Sequence, residues 1–183
     1  TASQPATDAV LPPPPDFSAP AYVPSSFSVK VSVEPHEAPM HLLVDLVTRI
    51  VTAEGPIHRD LVARRVSAAF GKVRTGGRIQ GASDKALVAA IRSSSLEMDG
   101  DFAMTAVQRD DCPVRDRSAD NAPVKADLLP PLEIRAAAAR VITESGEMQR
   151  EDLIVATARL LGFAKTGKDL RDRIDSALPN ETV

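Results

Sequence analysis

The chain has 183 residues, of which 43% are hydrophobic, 26% charged and 3% aromatic, and it carries a formal net charge of −3. This composition excludes a wholly disordered chain and a membrane protein, and because tryptophan is absent it predicts a core of Ala, Val, Leu and Ile. The net charge excludes a basic field over the whole molecule, so a nucleic-acid partner would require a local basic face.

The first 35 residues predict a proline-rich linker followed by one short strand. Residues 10–26, VLPPPPDFSAPAYVPSS, are rich in Pro, Ala and Ser and cannot bury a core, so a linker is favoured over a proline-motif ligand. Residues 27–33, FSVKVSV, then alternate between apolar and polar side chains. A period of two is typical of a half-buried strand.

The next segment predicts two helices, because its apolar residues recur at spacings of three and four. Apolar side chains between Leu42 and Ile50 form one stripe, and the pattern stops at Gly55-Pro56. A second helix, HRDLVARRVSAAFG, follows directly and ends at Gly71.

A third helix and a hairpin complete a predicted winged-helix-like unit over residues 36–108. A glycine-rich connection, KVRTGGRIQG, precedes the helix ASDKALVAAIRSS, whose N-cap we assign to Ser83. Asp99-Gly100 lies between two short alternating runs, which is a strong signal for a two-residue hairpin. Three helices followed by a hairpin are the element order of a winged helix, with the hairpin as its wing.

Residues 128–183 repeat the helical pattern of this unit after a polar linker at residues 109–127. The segment that begins at Arg140 aligns without a gap with the segment that begins at Arg49. The paired positions include Gly55 with Gly146, Arg59 with Arg150, Gly71 with Gly162 and Asp84 with Asp175. We therefore predict a mainly α fold of tandem three-helix winged-helix-like units, of which the first carries a β-hairpin wing.

The sequence predicts no catalytic, metal or cofactor site. The hypothesis of a site around His58 is disfavoured because Gln149 takes the place of His58 in the second copy. We therefore interpret His58 as part of a turn and helix start. Cys112 is the single cysteine, which excludes an internal disulfide and a thiolate zinc site. The loops GKVRTGGR and GFAKTGKD lack the Lys-Ser/Thr of a nucleotide-binding phosphate loop. We expect no enzymatic activity in this chain.

Basic residues around the third helices are the predicted nucleic-acid contacts, since the third helix of such a unit enters the groove. Arg59 and Arg150 open the second helices, where each could reach a carboxylate or a phosphate. Acidic residues interleave with the basic ones, so solvated surface charges remain an equal alternative. The candidates are Arg59, Arg74, Arg78, Lys85, Arg92, Arg150, Lys165, Lys168, Arg171 and Arg173.

The segments EGPIHRDLVARRV, GKVRTGGRI, GDFAM, PPLEIRAAAARVI and LGFAKTG also resemble a known family. Over residues 36–178 the chain is similar to the bacterial domain of unknown function 3320. That domain occurs near the C-terminal end of superfamily I helicase-like proteins, typically after a helicase motor and a nuclease domain. The resemblance implies DNA as a partner and helicase and nuclease domains in the same parent chain, and it implies no catalytic residues.

Two hypotheses of function remain open on the sequence. The first is a non-catalytic accessory module that binds or positions DNA; the alternative is a protein–protein interaction module without direct DNA contact, which the negative net charge favours. No stretch reaches the roughly 18 apolar residues of a membrane span, and no signal peptide opens the chain, so we expect a cytoplasmic location. The start at Thr1 leaves open that the chain is a piece of a longer protein.

Overall fold

The computed structural model describes residues 18–119 and 124–179, which form mainly α-helices and one small antiparallel sheet. The proline-rich tract before residue 18, predicted as a linker, lies outside the described residues. The elements of the first helical group are α1 (Met40–Glu54), β1 (Ile57–His58), α2 (Arg59–Ala69), α3 (Gly77–Arg92), β2 (Glu97–Asp99), β3 (Phe102–Met104) and the short α4 (Ala106–Asp110).

The first core lies between α1, α2, α3 and the sheet. α1 turns a stripe of apolar side chains inward, including the fully buried Leu43, Leu46 and Ile50. Val62 and Val66 of α2 meet this stripe, and α3 and the sheet close it with Ala86, Leu87, Ile57 and Ala103. The strands pair in the order β1-β3-β2, so β3 lies in the middle.

The second helical group contains α5 (Pro131–Ser145), α6 (Arg150–Leu160) and α7 (Lys168–Ala177). These helices begin 91 residues after α1, α2 and α3, which start at Met40, Arg59 and Gly77. Their own core is made of aliphatic side chains, among them Ile134, Val141, Ile154, Leu161 and Ile174. In the described residues no strand follows α7.

The strand predicted over residues 27–33 is wrong. This segment runs as an extended chain beside the first group, where Phe27 and Val29 pack on the core and the Val29 amide donates to the Ala69 carbonyl at 2.9 Å. Val31 and Val33 stay exposed. The alternating pattern therefore reflects one half-buried side, but no neighbouring strand pairs with it in the described chain.

The third helix also differs from its prediction. α3 begins at Gly77 instead of after Ser83, and Ser83 is buried inside the helix. Gly77 and Gly81 lower the local helix propensity by about 1 kcal/mol each, but Ile79 packs into the core between them. The predicted hairpin is present, with a turn formed by Gly100 and Asp101, because Asp99 pairs with Phe102.

The described part of the predicted linker at residues 109–127 is an ordered contact between the two helical groups. Arg115 and Arg117 are each only 8% exposed, and both bind the fully buried carboxylate of Glu133 on α5. Arg115 also donates to the carbonyl of Glu54 at 2.5 Å, which satisfies the C-terminal end of α1. A segment that lacks hydrophobic periodicity thus holds the groups together through buried charges.

A second buried carboxylate, Glu54, lies on the other side of this contact. It accepts hydrogen bonds from Arg65 at 2.8 Å, from Ser25 and from the hydroxyl of Tyr22. The Tyr22 ring lies under the guanidinium groups of Arg115 and Arg117, at 5.2 and 4.8 Å from its centroid. A cavity of about 30 Å³ beside Tyr22 and Arg65 has room for one water molecule.

Candidate nucleic-acid interface

The solvent face of α3 carries three basic residues in one line. Arg78, Lys85 and Arg92 are spaced by seven residues, which places them on the same side of the helix and about 10 Å apart along its axis. All three are exposed. Gly81 and Val88 lie between them. Their side chains are shorter than those of the cations and would not block a surface that approaches the helix.

Arg74 adds a fourth cation in the loop that leads into α3. Arg74 is exposed. Its backbone carbonyl accepts a hydrogen bond at 2.9 Å from the hydroxyl of the buried Ser67, which anchors the loop to α2. Within residues 18–119 and 124–179, none of these four side chains makes a salt bridge. We call Arg74, Arg78, Lys85 and Arg92 together the α3 face.

An open groove of about 370 Å³ runs between the α3 face and the start of α1. Arg78 and Lys85 line its α3 side, while His36, Met40 and Leu43 line the side of α1. A Cβ atom built on Gly81 would meet no other atom within 4 Å, so the groove is open above the α3 backbone. The groove residues on the α1 side carried no sequence signal that distinguished them from other core or loop positions.

Arg59 has a role that the sequence did not resolve. The Arg59 guanidinium is paired with two acidic side chains. Its Nη2 donates to Oδ2 of Asp84 on α3 at 2.6 Å, and its Nη1 lies 3.6 Å from Oδ1 of Asp101 in the hairpin turn. The hydrogen bond to Asp84 raises the pKa of Arg59 above its usual value. Arg59 therefore joins α2, α3 and the hairpin, and only its partly exposed edge faces solvent.

The corresponding cations of the second group are mostly paired with acidic residues. Arg150 binds Asp175 at 2.5 Å and the Pro179 carbonyl, Lys168 binds Asp172 at 2.5 Å, and Arg171 pairs with Glu151. The bond to Asp172 raises the pKa of Lys168. Lys165 is exposed without a salt bridge in the described chain. The two groups therefore differ in charge: the α3 face is cationic, and the face of α7 is nearly neutralised.

Arg173 of α7 is also unavailable at the surface of the second group. Its guanidinium donates to the Leu129 carbonyl at 2.7 Å and lies 5.4 Å from the centre of the Phe102 ring. Burial lowers the pKa of Arg173. This contact joins α7 to β3 of the first group.

The β2–β3 hairpin is acidic and faces the second group. Its turn region carries Asp99 and Asp101, and Asp99 lies 3.9 Å from Arg135 on α5. Glu97 pairs with Arg109 at 2.7 Å. The hairpin therefore offers negative charge and intramolecular contacts, not a basic surface for phosphates.

His58 is a structural residue. Its Nδ1 accepts the backbone N–H of Asp60 at 3.1 Å and so caps α2, and its ring lies edge-on against Phe102. The Cys112 thiol lies near Glu133, and burial raises its pKa to about 12, which makes it unreactive at neutral pH. Across the two described ranges, no group of three or more His, Cys, Asp or Glu side chains is arranged to hold a metal ion.

Comparison with known proteins gives one match. Residues 33–81 match the model of a family described as "Protein of unknown function (DUF3320)". The matched segment covers α1, α2, the loop with Arg74 and the first part of α3. No curated protein and no solved structure matches the chain. Among the described helices, none has both the length and the apolar character that crossing a bilayer requires.

Proposed function

We propose that this chain is a non-catalytic accessory module that binds DNA through the α3 face. In this proposal residues 36–108 form a winged-helix unit, and residues 128–183 form a second three-helix copy that supports it. The order of three helices and two hairpin strands, with β3 in the middle of the sheet, supports the first assignment. The common 91-residue offset between the helix starts supports the second.

The observation that carries the proposal is the concentration of positive charge on α3 and on the loop that leads into it. The protein as a whole has a net charge of −3, yet Arg74, Arg78, Lys85 and Arg92 form no salt bridge within residues 18–119 and 124–179. Phosphate contacts by Lys and Arg supply essentially all of the non-specific affinity of proteins for DNA. In a helix-turn-helix arrangement, the helix in the position of α3 is the one that enters the major groove.

The biological setting that we propose rests on the family resemblance. Residues 33–81 match domain of unknown function 3320, which in the resemblance described above accompanies helicase and nuclease domains of bacterial proteins. We place this module beside such domains in one parent chain in the bacterial cytoplasm. ATP hydrolysis and strand cleavage belong to those other domains, and the α3 face holds or orients the DNA on which they act.

Fluorescence anisotropy with a labelled duplex of about 20 base pairs at low salt tests this proposal. Replacing Arg74 and Arg78 by Ala removes two of the four cations, so we expect the affinity to fall by at least tenfold. Lys165→Ala/Lys168→Ala is the matched control in the second group, and we expect it to change the affinity by less than about twofold, because Lys168 is already paired. Equal affinities of the wild type and the Arg74/Arg78 variant at low salt would contradict the assignment.

A protein partner without DNA contact is the second candidate. The paired charges of the second group and the acidic hairpin favour this candidate, since neither surface would attract the phosphates of DNA. Capture of a protein partner by the intact chain, together with no anisotropy change on duplex, forked or single-stranded DNA, would support this candidate and not the first.

A further inference from the structure

We propose that the ion pair between Arg59 and Asp84 sets the charge of the α3 face, and that Arg59 is a positioning residue for DNA binding. This inference rests on the proposed function and deepens it. Asp84 is the only acidic residue of α3, and it lies next to Lys85 in the chain. Its carboxylate is therefore the one group on this helix that would repel phosphates.

The geometry shows how the chain neutralises that carboxylate. Oδ2 of Asp84 accepts from Arg59 at 2.6 Å, and Oδ1 accepts from Gln80 at 3.2 Å. Asp84 remains 26% exposed and Arg59 42% exposed, so the pair lies at the protein surface and not in the core. Asp101 of the hairpin turn holds Arg59 from its other side. With the pair formed, Arg59 and Asp84 together add no net charge to the four cations.

Removing Arg59 should consequently weaken DNA binding, and removing the Asp84 charge should strengthen it. Without Arg59, the Asp84 carboxylate faces the phosphates uncompensated and the face has an effective charge of three. Without the Asp84 charge, Arg59 keeps only the longer 3.6 Å contact with Asp101, and the face gains one positive charge to reach an effective charge of five. Removing both restores four. A purely structural salt bridge would weaken binding in both single variants and would not be rescued by the double variant.

The second copy supplies a matched control. Arg150 and Asp175 occupy the equivalent positions and form the same pair at 2.5 Å. Arg150 also donates to the Pro179 carbonyl, and neighbouring cations of α7 are paired with acids. Releasing Arg150 does not enlarge a cationic face, so Asp175→Asn should leave DNA binding unchanged.

The test is the salt dependence of duplex binding by the full chain, measured by anisotropy for the wild type, Arg59→Ala, Asp84→Asn, Arg59→Ala/Asp84→Asn and Asp175→Asn. Four effective charges predict a slope of log K against log salt of about −3.6 for the wild type, since each contributes about −0.9. We expect about −2.7 for Arg59→Ala, about −4.5 for Asp84→Asn, and wild-type values for the double variant and Asp175→Asn. At about 0.1 M salt, Asp84→Asn should bind five- to tenfold more tightly.

The gain expected for Asp84→Asn keeps the test independent of folding, because a destabilised variant does not bind more tightly. Thermal melts of each variant confirm that it is folded at the temperature of the binding experiment. If the wild type binds DNA but Asp84→Asn binds no more tightly, or Asp175→Asn gives the same gain, this inference is wrong and the proposed function stands. If the wild type binds no DNA at low salt, both are wrong.

Discussion

Glu133 is the residue on which the contact between the two helical groups depends most. It is fully buried and accepts five hydrogen bonds from Arg115 and Arg117. A buried ion pair adds little stability compared with apolar residues, but removing one partner leaves a buried charge without compensation. The cost of losing Glu133 is therefore much larger than the value of the salt bridge itself.

Replacing Glu133 by Gln should lower the free energy of unfolding at pH 7 by about 3–5 kcal/mol, because two buried guanidinium groups lose their counter-charge. Urea unfolding followed by circular dichroism measures this change. Glu144→Gln is the control: its carboxylate is in an exposed pair with Arg140, so the expected change is within about 0.5 kcal/mol. A change in the free energy of unfolding of less than about 0.5 kcal/mol for Glu133→Gln would contradict the structural role of Glu133.

The same residue predicts a dependence of stability on pH. Burial opposes ionisation of Glu133, but hydrogen bonds and charge from Arg117 and Arg115 outweigh it and hold its pKa below the usual value. Arg65, Ser25 and Tyr22 likewise overcome burial and lower the pKa of Glu54. The unfolded chain therefore binds protons first as the pH falls, and stability is lost below the ordinary Glu pKa of about 4.3.

We expect the difference in stability between the wild type and Glu133→Gln to be constant from pH 7 to about pH 5 and to shrink below about pH 4. Urea midpoints measured across that range test it. A difference that grows as the pH falls would mean that the pKa of Glu133 is raised in the folded protein.

The two Arg–Asp pairs show how much of a site can be predicted from single residues. Arg59 and Arg150, and Asp84 and Asp175, align at the same offset in the sequence, so all four positions were visible before the structure. Their mutual contact was not, because the sequence gives no distance between α2 and α3. The pairing of Lys168 and Arg171 with acids was hidden for the same reason.

At the scale of elements, apolar periodicity located most helices well. α1 ends at Glu54, before the predicted stop at Gly55-Pro56, and α7 is the third helix predicted within residues 128–183. Predictions went wrong where tertiary packing decides the local structure. Gly77 and Gly81 lower the helix propensity of the first turns of α3, so the sequence did not predict these turns. The alternating pattern at residues 27–33 indicated a half-buried segment, but no strand pairs with it in the described residues.

Two glycines give opposite predictions at this scale. Gly81 lies inside α3 with open space above it, so Gly81→Ala should raise the free energy of unfolding by about 1 kcal/mol through helix propensity. Gly162 ends α6 at φ +88°, and a Cβ there would lie 2.0 Å from Asp116 and 2.6 Å from the Arg117 amide. Gly162→Ala should therefore destabilise the protein by more than about 1–2 kcal/mol. Urea unfolding of both variants checks the two signs, and equal signs would contradict this structure.

At the scale of the whole molecule, the two helical groups are joined by a buried polar contact. The sequence predicted two units and a connection between them, but buried arginines in a polar stretch without periodicity are indistinguishable from solvated ones. Residues 18–30 strengthen the contact, since Ala21 bridges to Asp116 and Tyr22 binds Glu54. The groups should therefore unfold together.

Calorimetry tests this cooperativity. We expect a single transition for the wild type, with equal calorimetric and van't Hoff enthalpies. Arg115→Ala/Arg117→Ala removes both partners of Glu133 and should divide the transition in two or lower the enthalpy ratio. Arg135→Ala, which removes only the exposed 3.9 Å contact with Asp99, should keep one transition. Two transitions in the wild type would contradict a shared unit of folding.

The charge difference between α3 and α7 makes DNA binding by one face of one helix the central claim about this molecule. Titration of the isotope-labelled chain with a duplex, followed through backbone amide chemical shifts, tests that claim residue by residue. We predict chemical-shift changes in residues 71–92 and around the start of α1, with α7 unchanged. Shifts confined to α7 or the hairpin, or no shifts at low salt, would contradict it.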